Sequence, residues 1–215
     1  MMTEDGHTPA ERRRLKVREM ILSAAERVFA REGAEGLSIR RLAEKIDYSP
    51  AAIYKYFGSK DELVDELKES FFEILMVDVH EIFDTSKPFD HRARACVAKY
   101  VEVAVEKPHH YSAAFAGQAK DGESDVGDPD FEATMKGKAF TVLKSMIEEG
   151  IAAGAFRADL DASLAAKSTW VSMHGLAMMM AHIPTFPALK PEADTLSREE
   201  FIEFHADQIV RGMET

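Results

Sequence analysis

The chain has 215 residues with 27 Lys+Arg against 38 Asp+Glu, a net charge of −11, which suits one large domain or a small one joined to a medium one. Cys96 is the only cysteine, so an intrachain disulfide is excluded, and with no apolar leader the expected compartment is the reducing cytoplasm. The most apolar run, Leu176 to Ala181, is far short of the roughly 20 residues that span a bilayer, so no membrane role is expected.

The charge is unevenly placed. Residues 1–60 carry 12 Lys+Arg against 9 Asp+Glu, a net of +3, and residues 61–215 carry 15 against 29, a net of −14. A locally basic module on an acidic body can hold phosphate at one end and be repelled elsewhere.

Met1 to His7 is polar and reads as disordered. Thr8-Pro9-Ala10-Glu11 is a capping box with proline at the first helical position, so a helix starts near Pro9 and buries Ile21, Ala24, Ala25, Val28 and Phe29. Arg12, Arg13, Arg14, Lys16 and Arg18 crowd its first turns, the unfavourable end of the dipole for cations. This is either a solvated basic face or a clamp for an external anion. Gly33 and Gly36 end the helix.

The stretch Leu37 to Leu63, LSIRRLAEKIDYSPAAIYKYFGSKDEL, predicts two short helices across a tight turn. Ser38 caps the first, whose apolar positions Ile39, Leu42, Ala43 and Ile46 follow helical spacing. Asp47 and Tyr48 turn the chain. Ser49 caps the second helix, which starts at Pro50, runs to about Phe57 and buries Ile53 and Phe57. Gly58 stops it, and Ser59 with Glu62 caps the next. Such a pair is a helix-turn-helix, whose second helix enters the DNA major groove, or an ordinary corner of a helical enzyme.

Gly36, Ser38, Ile39, Leu42, Ala43, Tyr48-Ser49, Ile53-Tyr54, Tyr56-Phe57, Ser59-Lys60 and Leu63 together resemble the N-terminal domain of the TetR (tetracycline-repressor-like) regulators. Asp47 departs from the glycine common at that turn, but Asp tolerates left-handed backbone. Phosphate contacts are expected from Arg12, Arg13, Arg14, Tyr54, Tyr56, Lys60 and the capped start of the Ser59 helix, with Ser38 and Arg40 among the DNA-side residues. Base reading is expected from Ser49, Ala51, Ala52 and Lys55. The resemblance implies double-stranded operator DNA as partner, a homodimer, and repression as the usual mode.

Helices are predicted over Ser59 to Phe83, Phe89 to Glu106 and His109 to Gln118, then from Pro129, capped by Asp128, to Ala153. Lys120 to Asp130, rich in Gly, Pro and acids, reads as a mobile surface loop. Leu160 to His182 is apolar on more than one face and must be buried on more than one side. Pro184 to Leu196 is turn-rich, and Ser197 with Glu200 caps a last helix carrying Phe201 and Phe204. The fold class is all-α, with about nine helices and no strand: a DNA-binding domain over residues 1–58 and an effector and dimerisation domain over 59–215.

Trp170 to Ala177 resembles the Trp-x-x-x-His-Gly element of one TetR subfamily, whose second domain dimerises through its last two long helices and holds a small effector. Gly175 suggests close approach of another helix. Met173, Met178, Met179 and Met180 suit an adaptable lining, although a Met stripe at helical spacing is more often plain core or dimer interface. His174 is a hydrogen-bonded core histidine or a ligand contact. A small, mainly apolar effector is expected among Tyr111, Phe115, Phe140, Trp170, Met173 and His174, and an interface centred on Leu176, Met180, Phe201 and Phe204. Cys96 reads as core. No His/Cys/Asp/Glu set has metal spacing, no Walker loop, GxSxG or GxGxxG occurs, and no cofactor or catalytic residue is expected. The alternative is an all-α binding protein or enzyme with no DNA role.

Overall fold

The computed structural model describes residues 8–115, 129–183, 185–188 and 196–214. The expected polar start, the loop over 120–128, and most of the Pro184 to Leu196 connection lie outside them. Among the described residues there are ten α-helices: α1 Pro9–Gly36, α2 Ile39–Lys45, α3 Pro50–Ile53, α4 Lys60–Val79, α5 Phe89–Glu106, α6 Pro108–Phe115, α7 Pro129–Ala133, α8 Met135–Ala152, α9 Ala162–His182 and α10 Arg198–Arg211. A 3-10 turn, His80–Phe83, finishes α4. No strand is present among them beyond an isolated bridge between Phe156 and Glu214. No helix there is long and apolar enough to cross a membrane.

The chain forms two compact units, residues 1–70 with 109–120, and residues 71–108 with 121–215. The division therefore falls inside α4 rather than before it, and α6 belongs with the N-terminal helices. Packing explains that membership. Ala113 is fully buried in the same core as Ile21, Ala24, Phe29, Leu42 and Ile53, and His110 Nε2 lies 2.8 Å from Glu26 Oε1.

Helix starts follow their caps. Thr8 Oγ1 accepts from Glu11 N–H and Glu11 accepts from Thr8 N–H, and Ser197 with Glu200 makes the same reciprocal pair at α10. Asp161 caps α9 by accepting from Leu164 N–H at 2.9 Å. Ser38 takes the N-cap position of α2 with extended backbone but makes no side-chain cap bond, contrary to the sequence expectation. Gly33 adopts φ 67°, which a side chain would resist, and bends the end of α1.

One predicted helix is two. Over 129–153 the chain breaks at Thr134, whose extended backbone (φ −69°, ψ 158°) separates α7 from α8 and whose Oγ1 accepts from Gly137 N–H. The fold closes tightly there: a Cβ on Gly137 would sit 2.0 Å from the Phe131 carbonyl oxygen.

The second unit is built on α5, whose buried face includes Val97, Tyr100, Val101 and Ala104. Arg94 binds Asp90 at 2.8 Å on its own helix and Asp207 of α10 at 3.0 Å. The buried Arg92 pairs with Glu149 of α8, and its guanidinium lies 5.5 Å from the Phe89 ring centre. α9 buries Ala166, Thr169, Met173, Leu176, Ala177 and Met180 along one stripe. Beside that stripe, Ser172 Oγ meets His205 Nε2 of α10 at 3.3 Å.

Two expectations follow from this packing. In Gly137→Ala the new methyl meets backbone rather than a side chain that can turn away, so thermal unfolding should show a loss of about 1–3 kcal/mol. Burial also lowers the pKa of His205 and His174 below the ordinary 6.5, with the Lys136 charge adding to the effect at His174 and the Ser172 contact opposing it at His205. Each neutral imidazole therefore stabilises the fold fully above about 6.5, and that contribution fades as pH falls, because the unfolded chain takes up the proton first. A His174→Gln/His205→Gln double variant should lose less melting temperature than the parent between about pH 7.5 and about pH 5.5.

Candidate nucleic-acid interface and ligand cavity

The first unit presents α2 and α3 across the turn at Asp47. Asp47 adopts φ 57°, so the aspartate does accept the left-handed backbone. Tyr48 N–H closes the turn on Ala43 O at 2.9 Å. Ser49 Oγ then caps α3 by accepting from Ala52 N–H at 3.1 Å. The α3 helix is shorter than predicted, ending at Ile53, after which Lys55 and Tyr56 N–H bond three residues back at 3.3 and 2.9 Å in 3-10 fashion. The run Ile53-Tyr54-Lys55-Tyr56-Phe57 holds mostly β-branched and aromatic residues, which favour helix weakly, and Gly58 follows.

Ile53 and Phe57 are buried and pin α3 to the core, which leaves Ser49, Ala51, Tyr54 and Lys55 exposed and Ala52 half-buried. Tyr56 is half-buried with its ring against that core. Arg13, Arg14 and Arg40 are exposed, and Arg12, Ser38 and Lys60 are partly so. Arg40 Nε lies 3.2 Å from Glu44 Oε1. Ser59 Oγ accepts from Glu62 N–H at 3.0 Å, while the Glu62 carboxylate reaches Gly58 N–H at 2.7 Å, so the start of α4 is capped from both sides. Arg18 pairs with Glu66 and lies 5.1 Å from the Phe57 ring centre. Arg41 grips both Glu32 oxygens, holding that carboxyl below its ordinary range.

The second unit contains a cavity of about 40 Å³. Its wall comes from α4 (Phe72, Met76), α5 (Cys96, Tyr100), α8 (Lys136, Phe140) and α9 (Trp170, Met173). Phe140 and Trp170 stack obliquely with ring centres 5.7 Å apart. Trp170 Nε1 donates to Tyr100 Oη at 3.4 Å, and that hydroxyl meets His174 Nδ1 at 3.3 Å. Burial pushes the Tyr100 pKa well up, so the phenol stays protonated, and it pushes the Cys96 thiol to about 12, which leaves it unreactive.

Of the residues expected around an effector, Phe140, Trp170 and Met173 line this cavity, and His174 touches it through Tyr100. Tyr111 and Phe115 do not line it. They sit in the first unit on α6, with Tyr111 fully buried and its ring centre 5.2 Å from that of Phe115. Tyr100 and Lys136 were missed. Cys96 and Tyr100 share the buried face of α5 and could have been found from the i, i+4 spacing, whereas an isolated lysine at a helix start carries no sequence signal.

The interface expectation divides in the same way. Leu176 and Met180 are buried within the chain, 6% and 1% exposed, because they continue the inward stripe of α9. The outward stripe is Leu164, Val171, Gly175, Met178 and Met179, with Val171 73% exposed. Phe204 is also open at 58%, and Phe201 is half-buried between Phe186 and Phe204. A Cβ on Gly175 would meet nothing within 4 Å, so no neighbour within the described chain explains that glycine. No group of three or more His, Cys, Asp and Glu that could hold a metal occurs among the described residues.

Residues 21–67 match the family described as bacterial regulatory proteins, tetR family, and residues 93–203 match the tetracyclin repressor-like C-terminal domain. The chain is 28% identical over 178 residues to the HTH-type transcriptional repressor KstR2 of Mycolicibacterium smegmatis, covering 80% of this chain and 83% of that one. It is 28% identical over 146 residues to the HTH-type transcriptional repressor NicS of Pseudomonas putida, covering 67% and 68%. The solved structure of the ketosteroid transcriptional regulator KstR2 of Mycobacterium tuberculosis superposes with a TM-score of 0.65 at 20% identity, covering 92% of this chain and 95% of that one. With both of its halves matched, the chain belongs to the TetR family of bacterial transcriptional regulators.

Proposed function

We propose that two copies of the chain bind a roughly palindromic operator as a repressor, and that a small, mainly apolar effector in the second unit releases it. The observation that carries the DNA half is α3, which is anchored by Ile53 and Phe57 and keeps Ser49, Ala51, Tyr54 and Lys55 outward. Small side chains at its start allow close approach to base edges, and Ala methyls can meet thymine methyls. Arg12, Arg13, Arg14, Tyr54, Tyr56, Lys60 and the N-terminus of α4 serve as phosphate contacts. Ser38 and Arg40 flank them on α2.

In a selection from random duplexes, the parent should enrich one sequence family at moderate salt. Lys55→Ala should weaken that site roughly tenfold, and Arg13→Ala should weaken all duplexes and lower the salt slope by about one. Equal retention of every duplex at moderate salt would remove the regulator reading in favour of a helical binding protein or enzyme.

One helix-turn-helix reads only a few base pairs, so specificity requires two, spaced about 34 Å or a multiple apart by a two-fold axis. The outward stripe of α9, with Phe204 and Phe201 of α10, supports a four-helix interface between copies. Leu176 and Met180 support it from behind. Sedimentation should give twice the 24.0 kDa chain mass. Val171→Glu should shift it to the monomer with its fold intact, while Leu176→Ala should cost about 2–5 kcal/mol of stability instead. A parent that sediments as a monomer at micromolar concentration contradicts this assembly.

The Trp-x-x-x-His-Gly element serves both faces of α9 in this reading. Trp170 lines the cavity, His174 supports it through Tyr100, and Gly175 turns to the partner. The cavity at about 40 Å³ is smaller than the roughly 300 Å³ typical of ligand sites, so the effector enters by moving its walls. Met76 and Met173 are the side chains best suited to yield.

A further inference from the structure

The cations of α1 read in the sequence as a solvated face or an anion clamp, and Arg18 is neither. It lies three residues before Ile21 and seven before Ala25, so it shares the face of α1 that those buried residues turn to the core. Its guanidinium lies 5.1 Å from the centre of the Phe57 ring and pairs with Glu66 of α4. The Arg18 side chain is 39% exposed and that of Glu66 20%, whereas Arg13 and Arg14, nearer the start of α1, are open to solvent. One flat group carried by α1 thus touches both the segment leaving α3 and the body of α4.

The α3 helix is four residues long and has little helical stability of its own. Its aim depends on how Ile53 and Phe57 are seated in the core, where both are buried. A guanidinium can lie on a ring face and bond a carboxylate at once because it is planar and forked, which an ammonium does less well. A partly exposed ion pair adds little to global stability. A recognition site, by contrast, needs its side chains held to within about 0.5 Å. Resting on the reading of α3 as the helix that reads DNA, we infer that Arg18 is a positioning residue for recognition: it touches no phosphate, and it sets the seating of Phe57 and through it the aim of Ser49, Ala51 and Lys55 at base edges.

The parent, Arg18→Met and Glu66→Gln are titrated with the duplex that the parent selects and with a scrambled duplex of equal length, over a range of salt and well below each melting temperature. Arg18→Met keeps the apolar stem and removes the flat cation. It should lose at least about tenfold in affinity for the selected duplex, the worth of about one good base contact, and less than about twofold for the scrambled one. Its salt slope should match the parent's, unlike the drop of about one expected of Arg13→Ala. Glu66→Gln leaves the guanidinium in place and removes its charged partner. It should lower the ratio of selected to scrambled affinity in the same direction as Arg18→Met.

A slope lower by about one in Arg18→Met, with both duplexes weakened alike, makes Arg18 a phosphate contact and overturns the inference. So does a folded Arg18→Met whose ratio equals the parent's, which leaves Arg18 as ordinary packing. Both results leave the regulator reading standing, because the parent still prefers its selected duplex. A parent that prefers no duplex removes that reading and the inference together. If Arg18→Met does not fold, Glu66→Gln decides: a fall in the ratio upholds the inference, and an unchanged ratio overturns it.

Discussion

A single helix that is apolar on two opposite faces constrains most of this molecule. Helical geometry divides the 21 residues of α9 into stripes about 100° apart per residue, and three of them do different work. The inward stripe from Ala166 to Met180 closes the core against α5 and α8. The flank with Trp170 forms part of one wall of the cavity, and His174 on the same flank reaches it through Tyr100. The outward stripe with Val171, Met178 and Met179 has no cover within the described chain. An apolar surface of that extent on a monomer favours association, so fold, cavity and proposed dimer are linked through one sequence of side chains.

The DNA-side unit solves the opposite problem, holding a very short helix rigid while leaving most of it open. Four residues of α3 have little intrinsic helical stability. The Ser49 cap, the 3-10 bonds at Lys55 and Tyr56, and the two buried anchors Ile53 and Phe57 supply the order instead. Arg18 shows the same economy: lying on Phe57 and paired with Glu66, it braces the site from behind, whereas the neighbouring Arg13 and Arg14 stay exposed.

Local chemistry was legible in the sequence and tertiary choice was not. The α5 boundaries at Phe89 and Glu106, the caps at Thr8, Ser49 and Ser197, and the left-handed Asp47 all follow from residues within one turn of each other. The break at Thr134 is different in kind. It depends on Gly137 packing against the Phe131 carbonyl, a contact that helical periodicity does not encode. The stripes of α9 were both visible as apolar, but nothing local distinguishes Leu176 and Met180, which face inward, from Val171 and Met179, which do not. Aromatic character alone points Tyr111 and Phe115 towards an effector site. Their position in the first unit is set by Ala113 and the His110–Glu26 pair, which require the fold to be known.

The small cavity bears on how an effector could act. A ligand shifts an equilibrium only by its differential affinity for the two states, typically about 1–3 kcal/mol of coupling. A cavity that already held the effector at full size would bind it with little preference. At about 40 Å³ the resting cavity is small, so in the proposed function a larger effector favours a form in which the walls have moved apart, and its affinity is reduced by the work of moving them. α4 lends Phe72, Leu75, Met76 and Val79 to the wall and begins at Lys60, among the proposed phosphate contacts. The division between the two units falls within the 20 residues of α4, which makes it the element on which the proposed regulation rests. In the proposed regulation, then, the effector's preference for one state has to be expressed through the cavity-lining half of this helix.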